Sequence, residues 1–270
     1  MNPPRFSRLH GFIRILIRAL IPRFPTFFSR IQSSIQYSRG IGYDGGVQSE
    51  VNRIFHLWNS AYKDPPLIYD VGGNIGEWSI CAQSKFSNSD VVSFEPSKFA
   101  FAKLKQATES NKRITVHQIA LSNFSGTSNL FSDNPGSALA SLSKRDLGYL
   151  GLPFETSEVV SVMRLEDFCF EFSKIPDILK IDVEGHELNV LLGATRILPK
   201  ISIIQFEFGG TDIDSRTFFK DLWNLLNEYH FDVFRVTPSR LLRLEKYEES
   251  LEIFSYANYI ALNKSFSSIL

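Results

Sequence analysis

The chain has 270 residues, of which 43% are hydrophobic, and its 29 basic residues balance 29 acidic ones. This length and composition suit one packed domain and exclude a disordered or fibrous protein. The charge is unevenly distributed, because residues 1–43 contain seven arginines and no acidic residue. The rest of the chain is therefore acidic, which argues against nucleic acid as a partner.

Residues 5–21 have the pattern of a basic amphipathic helix, with arginines on one side of a helical wheel and apolar residues on the other. Pro22 and Pro25 are expected to end it. Such a helix is consistent with membrane-surface contact, with packing on the domain or on a second subunit, or with a cleaved targeting segment. Arg14 and Arg18 exclude a transmembrane span.

Four glycines after this arm predict a domain boundary, which separates an N-terminal arm, 1–44, from a domain that spans 45–270. These glycines are Gly40, Gly42, Gly45 and Gly46. A helix is predicted over 48–62. Cys81 and Cys169 have no metal-ligand spacing and are expected to be buried free thiols. This predicts a cytoplasmic protein, with peripheral membrane attachment through residues 5–21 as one alternative.

The most informative segment is an apolar run at 67–71 that carries Asp70 and then breaks into a turn before a helix at 76–85. The turn residues are Gly72, Gly73, Asn74 and Gly76. A strand, a tight loop and a helix N-terminus are typical of nucleotide-like cofactor sites in α/β proteins.

A second apolar run, 91–95, ends in Glu95 and is followed by Pro96. A carboxylate at the end of the second strand can accept hydrogen bonds from both ribose hydroxyls. Asn74 stands where a dinucleotide-binding loop needs its second glycine for the pyrophosphate. The pattern therefore disfavours NAD and favours S-adenosylmethionine, which has no pyrophosphate.

The remaining chain alternates strands with helices, and this predicts a doubly wound, mostly parallel, seven-stranded α/β sheet that ends in an antiparallel C-terminal hairpin. The predicted helices are 97–110, 185–197 and 214–229, and the predicted strands are 114–120, 177–182, 201–208, 231–236 and 255–262. An insertion at 124–163 is expected to form a hairpin with a mobile loop, 132–153. That loop is either a lid or wall of the site or a disordered surface loop.

Asp182, Glu184 and His186 follow the buried strand 177–182. Ligands of a doubly wound sheet bind at the carboxyl ends of its strands, where any of the three could act as a base. Acidic residues also stabilise a helix N-terminus without catalysis. The residue types suit a metal ion too, but supporting carboxylates on neighbouring strands are not recognisable, so no metal site is predicted.

Six segments resemble FkbM-type methyltransferases in order and spacing, and the resemblance covers roughly residues 45–265. They are Asp-Val-Gly-Gly-Asn-Ile-Gly-Glu (70–77), Ser-Phe-Glu-Pro-Ser (93–97), Ala-Leu-Ser-Asn (120–123), Leu-Lys-Ile-Asp-Val-Glu-Gly-His-Glu (179–187), Ile-Gln-Phe-Glu-Phe (204–208) and Ser-Leu-Glu-Ile-Phe-Ser-Tyr-Ala-Asn-Tyr (250–259). The resemblance implies S-adenosylmethionine-dependent methylation, mostly of hydroxyls on glycans or secondary metabolites. His186 departs from the family, which commonly has a small residue there.

The resemblance also implies roles for the residues singled out above. Asp70, Gly72, Asn74 and Gly76 would form the methionine side of the site, and Glu95 would hold the ribose. Ala120, Leu121 and Ser122 would flank the adenine, and Asp182 would lie closest to the transferred methyl, with Glu184 and His186 as alternative bases. A non-catalytic scaffold that kept the fold is the competing hypothesis. The acceptor and the oligomeric state are left open.

Overall fold

The structure is a computed structural model that describes residues 20–62 and 64–267. The amphipathic helix predicted over 5–21 lies almost entirely outside these residues. None of the helices within the described ranges is both long enough and apolar enough to cross a membrane.

The helices and strands follow the predicted order closely. The helices are α1 (Pro25–Ser38), α2 (Gly46–Ala61), α3 (Glu77–Lys85), α4 (Lys98–Thr108), α5 (Leu165–Glu171), α6 (Glu187–Leu192), α7 (Thr211–Ser215), α8 (Phe219–Glu228) and α9 (Lys264–Ser267). The strands are β1 (Ile68–Val71), β2 (Val91–Phe94), β3 (Ile114–His117), β4 (Ala120–Ser122), β5 (Gly126–Ser132), β6 (Thr156–Arg164), β7 (Ile178–Ile181), β8 (Ile203–Phe208), β9 (Phe231–Val236), β10 (Leu241–Arg243) and β11 (Ala257–Asn263).

The main sheet has the strand order β10-β9-β11-β8-β7-β1-β2-β3. Neighbours from β8 to β3 are parallel, whereas β11, β9 and β10 pair antiparallel at the C-terminal end. The predicted fold class is thus confirmed. The sheet has eight strands instead of seven, because the chain turns back after β9 and Leu241–Arg243 pairs along it.

A second sheet of three strands, in the order β4-β6-β5, covers one side of the cleft described below. The predicted hairpin is present as β5 and β6. The single strand predicted over 114–120 is wrong: β3 stays in the main sheet, while β4 leaves it and pairs parallel with β6. The chain changes sheets at residues 118–119, which lie in neither strand.

Two predicted helices have wrong bounds. The helix predicted over 185–197 is only α6, and the positive φ angles of Glu184 and Gly185, 55° and 89°, delay its start. The helix predicted over 214–229 is interrupted at Arg216, which has a φ of 58°. Residues 21–24 are not helical, and Pro25 then begins α1, because the first helical position tolerates proline.

Both faces of the main sheet are buried, as parallel sheets require. Successive residues of a strand point to opposite faces. Tyr69, Leu179 and Phe206 accordingly join the core cluster on one face, and Ile68 and Ile178 join the cluster on the other. Both cysteines are free thiols, but only Cys169 is buried, so the prediction of a buried Cys81 is wrong. The two cores fix the strand ends that form the site.

Candidate active site

A cleft opens at the carboxyl ends of β1, β2 and β7, between the main sheet and the three-stranded sheet. Its lining combines predicted cofactor-binding residues and candidate bases with residues of the insertion 124–163. The predicted residues that line it are Gly72, Asn74, Glu95, Pro96, Ala120, Leu121, Asp182, Glu184 and His186. The structure therefore brings the loop after β1, the acid after β2 and the acids after β7 together around this cleft.

Four of the predicted site residues lie behind this lining: Asp70, Gly73, Gly76 and Ser122. Asp70 is fully buried, and both of its carboxylate oxygens are engaged. The Ser79 hydroxyl donates a hydrogen bond to Oδ2 over 2.6 Å, and the Lys180 ammonium lies 3.0 Å from Oδ1. Asp70 thus holds the loop from below instead of facing the cleft.

The loop after β1 approaches the segment after β7 so closely that residue 72 must be glycine. A Cβ atom there would collide with the carbonyl oxygen of Asp182, and the φ of Gly72 is +82°. The amides of Gly72 and Gly73 both donate to the Phe94 carbonyl, at 3.0 and 2.9 Å. The Asn74 and Gly76 amides are also engaged within the chain, by Glu95 Oε2 at 2.9 Å and by the Gly73 carbonyl at 2.8 Å.

Glu95 connects the two loops that follow β1 and β2. Its carboxylate accepts hydrogen bonds from the Asn74 amide at 2.9 Å and from the Ser97 amide at 2.8 Å. Each carboxylate oxygen retains a lone pair that is able to accept a further donor. Burial raises the pKa of Glu95 to about 7, although both amide hydrogen bonds oppose this rise.

Asn74 has a left-handed backbone, with a φ of 45°. Its side-chain oxygen is buried and accepts no hydrogen bond from any residue in the described part of the chain. An unsatisfied buried acceptor is costly. At the edge of a cleft, this oxygen is suited to a donor group supplied by a ligand.

Lys180 is a central residue that sequence reasoning missed. Its ammonium is 3.0 Å from Asp70 and 3.6 Å from Asp182, and it donates a hydrogen bond to the Gly72 carbonyl over 3.2 Å. Burial alone would lower the pKa of Lys180, but the Asp70 and Asp182 carboxylates raise it above its ordinary value. The signal was present in the sequence, since a lysine inside an apolar strand needs a buried partner.

The two acids after β7 have different surroundings. The Asp182 side chain is 43% exposed towards the cleft. Glu184 forms an ion pair with Arg145 at 3.0 Å, and Arg145 also lies 3.6 Å from Asp214. Burial raises the pKa of Glu184 to about 7, and the neighbouring Asp182 carboxylate adds to the rise. The raised pKa of Glu184 suits a base that works near neutral pH.

His186 lies on the side of the cleft formed by β4. Its Nε2 is 2.9 Å from the Ser122 hydroxyl, and its Nδ1 is 3.3 Å from the Asn189 amide group. Burial lowers the pKa of His186 to about 4, so the ring is neutral at neutral pH. With both nitrogens engaged, His186 connects α6 to β4 below the predicted adenine position.

The insertion forms a wall of the cleft. Phe131 and Ser141 exchange backbone hydrogen bonds, and the Ser141 hydroxyl donates to the Glu184 carbonyl over 2.9 Å. Residues Ser137, Ala138, Ala140, Ser141 and Leu142 line the cleft. Of the two predicted alternatives for this loop, the wall of the site is the one observed.

Further carboxyls lie behind Asp182 and Glu184, and sequence reasoning missed these as well. Burial raises the pKa of Glu207, Glu187 and Asp212; neighbouring carboxylates raise that of Glu207 and Glu187 further, whereas hydrogen bonds and Arg145 oppose the rise at Asp212. Within the described ranges, no three His, Cys, Asp or Glu side chains are arranged to hold a metal ion. Glu207 had a visible signal, because it is an acid inside an otherwise apolar strand.

A family model described as the methyltransferase FkbM domain matches residues 70–233. The chain belongs to this family. The match begins at Asp70 and includes the glycine loop, Glu95 and the acids after β7. The FkbM domain of this chain thus contains every residue placed around the cleft above.

Relatives of this FkbM domain include Methyltransferase 1 of Beauveria bassiana, which is 30% identical over 149 residues, or 49% of this chain and 59% of the relative. The hexuronic acid methyltransferase AglP of Haloferax volcanii is 29% identical over 186 residues, or 67% of this chain and 70% of the relative. A crystal structure of methyltransferase FkbM from Methylobacillus flagellatus is 19% identical, with a TM-score of 0.46, and the match covers 74% of this chain and 44% of that one. The chain thus spans less than two thirds of the first and third of these proteins.

Proposed function

We propose that the protein is an S-adenosylmethionine-dependent methyltransferase that methylates a hydroxyl of a glycan or a secondary metabolite. The observation that carries this proposal is the position of Glu95. Its buried carboxylate lies at the end of β2, beside the glycine loop that follows β1, and keeps acceptor capacity towards the cleft. This is where a doubly wound sheet binds the ribose of its cofactor.

The donors and acceptors of the cleft fit S-adenosylmethionine. Glu95 would accept hydrogen bonds from the ribose hydroxyls, and the unpaired Asn74 oxygen would accept one from the methionine ammonium. The adenine would lie against Ala120, Leu121 and Ile119 in the apolar part of the cleft. The cofactor, when bound, supplies a methyl group on a positively charged sulfur.

Asp182 would act as the base that accepts the proton of the acceptor hydroxyl. It is the most exposed acid at the carboxyl end of β7, and it lies beside the loop that would hold the cofactor. Alignment of the hydroxyl and exclusion of water supply most of the rate in such a displacement. Glu184 is the second candidate, because its raised pKa suits proton transfer near neutral pH.

The charge around the cleft favours an acceptor without a carboxylate. Asp182 and Glu184 line the cleft, and Arg145 is already paired with Glu184 and with Asp214. A further anion there would meet like charges in a partly buried site. The archaeal relative AglP is named a hexuronic acid methyltransferase, which supports a sugar as the acceptor, but a hexuronic acid carries a carboxylate, unlike the acceptor that this cleft favours. We therefore favour a hydroxyl of a neutral sugar.

Replacing Glu95 with glutamine is expected to weaken S-adenosylhomocysteine binding at least tenfold, because one charged acceptor of the ribose hydroxyls is lost. Isothermal titration of the full chain measures this effect. Glu109→Gln, on the exposed end of α4, is the matched control. Absence of binding by the unchanged protein would instead favour the scaffold hypothesis.

Replacing Asp182 with asparagine is expected to lower methyl transfer about 100-fold or more, while S-adenosylhomocysteine affinity changes only a few-fold. The assay follows release of S-adenosylhomocysteine with a panel of neutral glycosides and glucuronides. Glu184→Gln and His186→Asn are measured beside it. If Glu184→Gln loses activity and Asp182→Asn does not, Glu184 is the base, and preferential methylation of glucuronides contradicts the acceptor class.

A further inference from the structure

The helix α1 carries an apolar stripe that is exposed to solvent. At about 100° per residue, the stripe occupies roughly a third of the helix circumference. Phe27, Ile31 and Ile35 are 58%, 39% and 53% exposed, and Phe24, directly before the helix, is 55% exposed. None of the residues of α1 is buried. The helix thus displays the stripe instead of packing it on the domain.

Such a stripe needs a covering partner for energetic reasons. A helix of 14 residues is marginal alone in water and owes its stability to packing of its apolar side. Contiguous exposed apolar patches on soluble proteins mark sites of interaction with proteins or membranes. The question is therefore which kind of partner fits the stripe.

The charge beside the stripe identifies the partner. Arg23, Arg30 and Arg39 lie in or next to α1, and no acidic residue occurs before Asp44. A second copy of α1 would bring arginines against arginines with no carboxylate to pair them. An anionic bilayer has an apolar interior that can cover the stripe and a negative surface that attracts the arginines.

We propose that α1 lies in the interface of an anionic membrane, with its apolar stripe in the acyl boundary and its arginines among the headgroups. This assignment rests on the described helix 25–38 and not on residues 5–21. It also does not depend on the methyl-transfer reaction, because the stripe lies outside the cleft.

The chain that follows α1 is attached to the same edge of the main sheet at which the cleft opens. A Cβ atom at Gly40 would collide with the Val236 carbonyl, so the chain packs tightly there, and the Gly42 amide donates to the Tyr256 carbonyl over 2.6 Å. Tyr256 precedes β11, which begins opposite Phe208 at the carboxyl end of β8.

Flotation of the full chain with vesicles tests the proposal. The unchanged protein is expected to float with vesicles of phosphatidylcholine and phosphatidylglycerol, and not with phosphatidylcholine alone. Each arginine-to-glutamine change is expected to lower partitioning about fivefold. The basic set is Arg23→Gln, Arg30→Gln and Arg39→Gln, and the stripe set, expected to abolish flotation, is Phe27→Ser, Ile31→Ser and Ile35→Ser.

The control set changes the opposite side of α1 and is expected to float like the unchanged protein: Thr26→Ala, Ser29→Ala and Ser33→Ala. S-adenosylhomocysteine binding, or circular dichroism if that ligand fails to bind, shows that each variant is folded. Equal flotation of the stripe set and the unchanged protein would overturn the proposal. So would a concentration-dependent dimer that the stripe set abolishes, because a second copy would then cover α1.

Discussion

Replacing Lys180 with methionine is expected to lower the free energy of unfolding by roughly 3 to 5 kcal/mol. The substitution leaves the Asp70 carboxylate fully buried without a counter-charge, and the Ser79 hydroxyl is then its one remaining hydrogen-bond donor among the described residues. It also removes the hydrogen bond to the Gly72 carbonyl, so the glycine loop loses its support from β7. Urea unfolding at neutral pH measures the loss.

The double variant Lys180→Met with Asp70→Asn separates the charge effect from packing. With both charges removed, we expect it to recover at least half of the lost stability, since a neutral pair of similar shape carries no buried charge. Lys105→Met, on the exposed side of α4, is the control and should change stability by less than about 0.5 kcal/mol. A double variant no more stable than the single one would show that Lys180 acts through packing.

The order of the helices and strands, and the residues that lie at the strand ends, could be predicted from the sequence. Apolar runs of four to eight residues ended by Gly or an acid marked β1, β2 and β7, and parallel topology then brought their carboxyl ends together. The sequence pattern and this topology together predict Gly72, Glu95 and Asp182 around one cleft. The inference worked because a strand end is fixed by local sequence and topology together.

The partners of the buried polar residues could not be predicted in the same way. Asp70 was expected to face the cofactor, yet it turns to Lys180 and Ser79 below the loop. Which face a polar side chain takes in a strand buried on both sides is decided by its neighbours in the sheet, and register is not visible in one sequence. The late start of α6 goes with positive φ angles at Glu184 and Gly185, which the sequence pattern did not indicate.

Replacing Glu207 with glutamine is expected to stabilise the protein at about pH 8 by roughly 2 kcal/mol and to change it little at about pH 5.5. Within the described ranges, no hydrogen bond or ion pair engages its carboxyl. Burial raises the pKa of Glu207 above its ordinary value of 4.5, and the carboxylates of Asp182 and Glu184 raise it further. The folded protein therefore holds a proton there that the unfolded chain has released.

The contribution of Glu207 to stability consequently falls as the pH rises above 4.5, by at most about 1.4 kcal/mol per pH unit. Urea unfolding of the variant and of the surface control Glu228→Gln at both pH values measures the difference. A variant with the same pH slope as the unchanged protein would show that Glu207 is ionised in the fold.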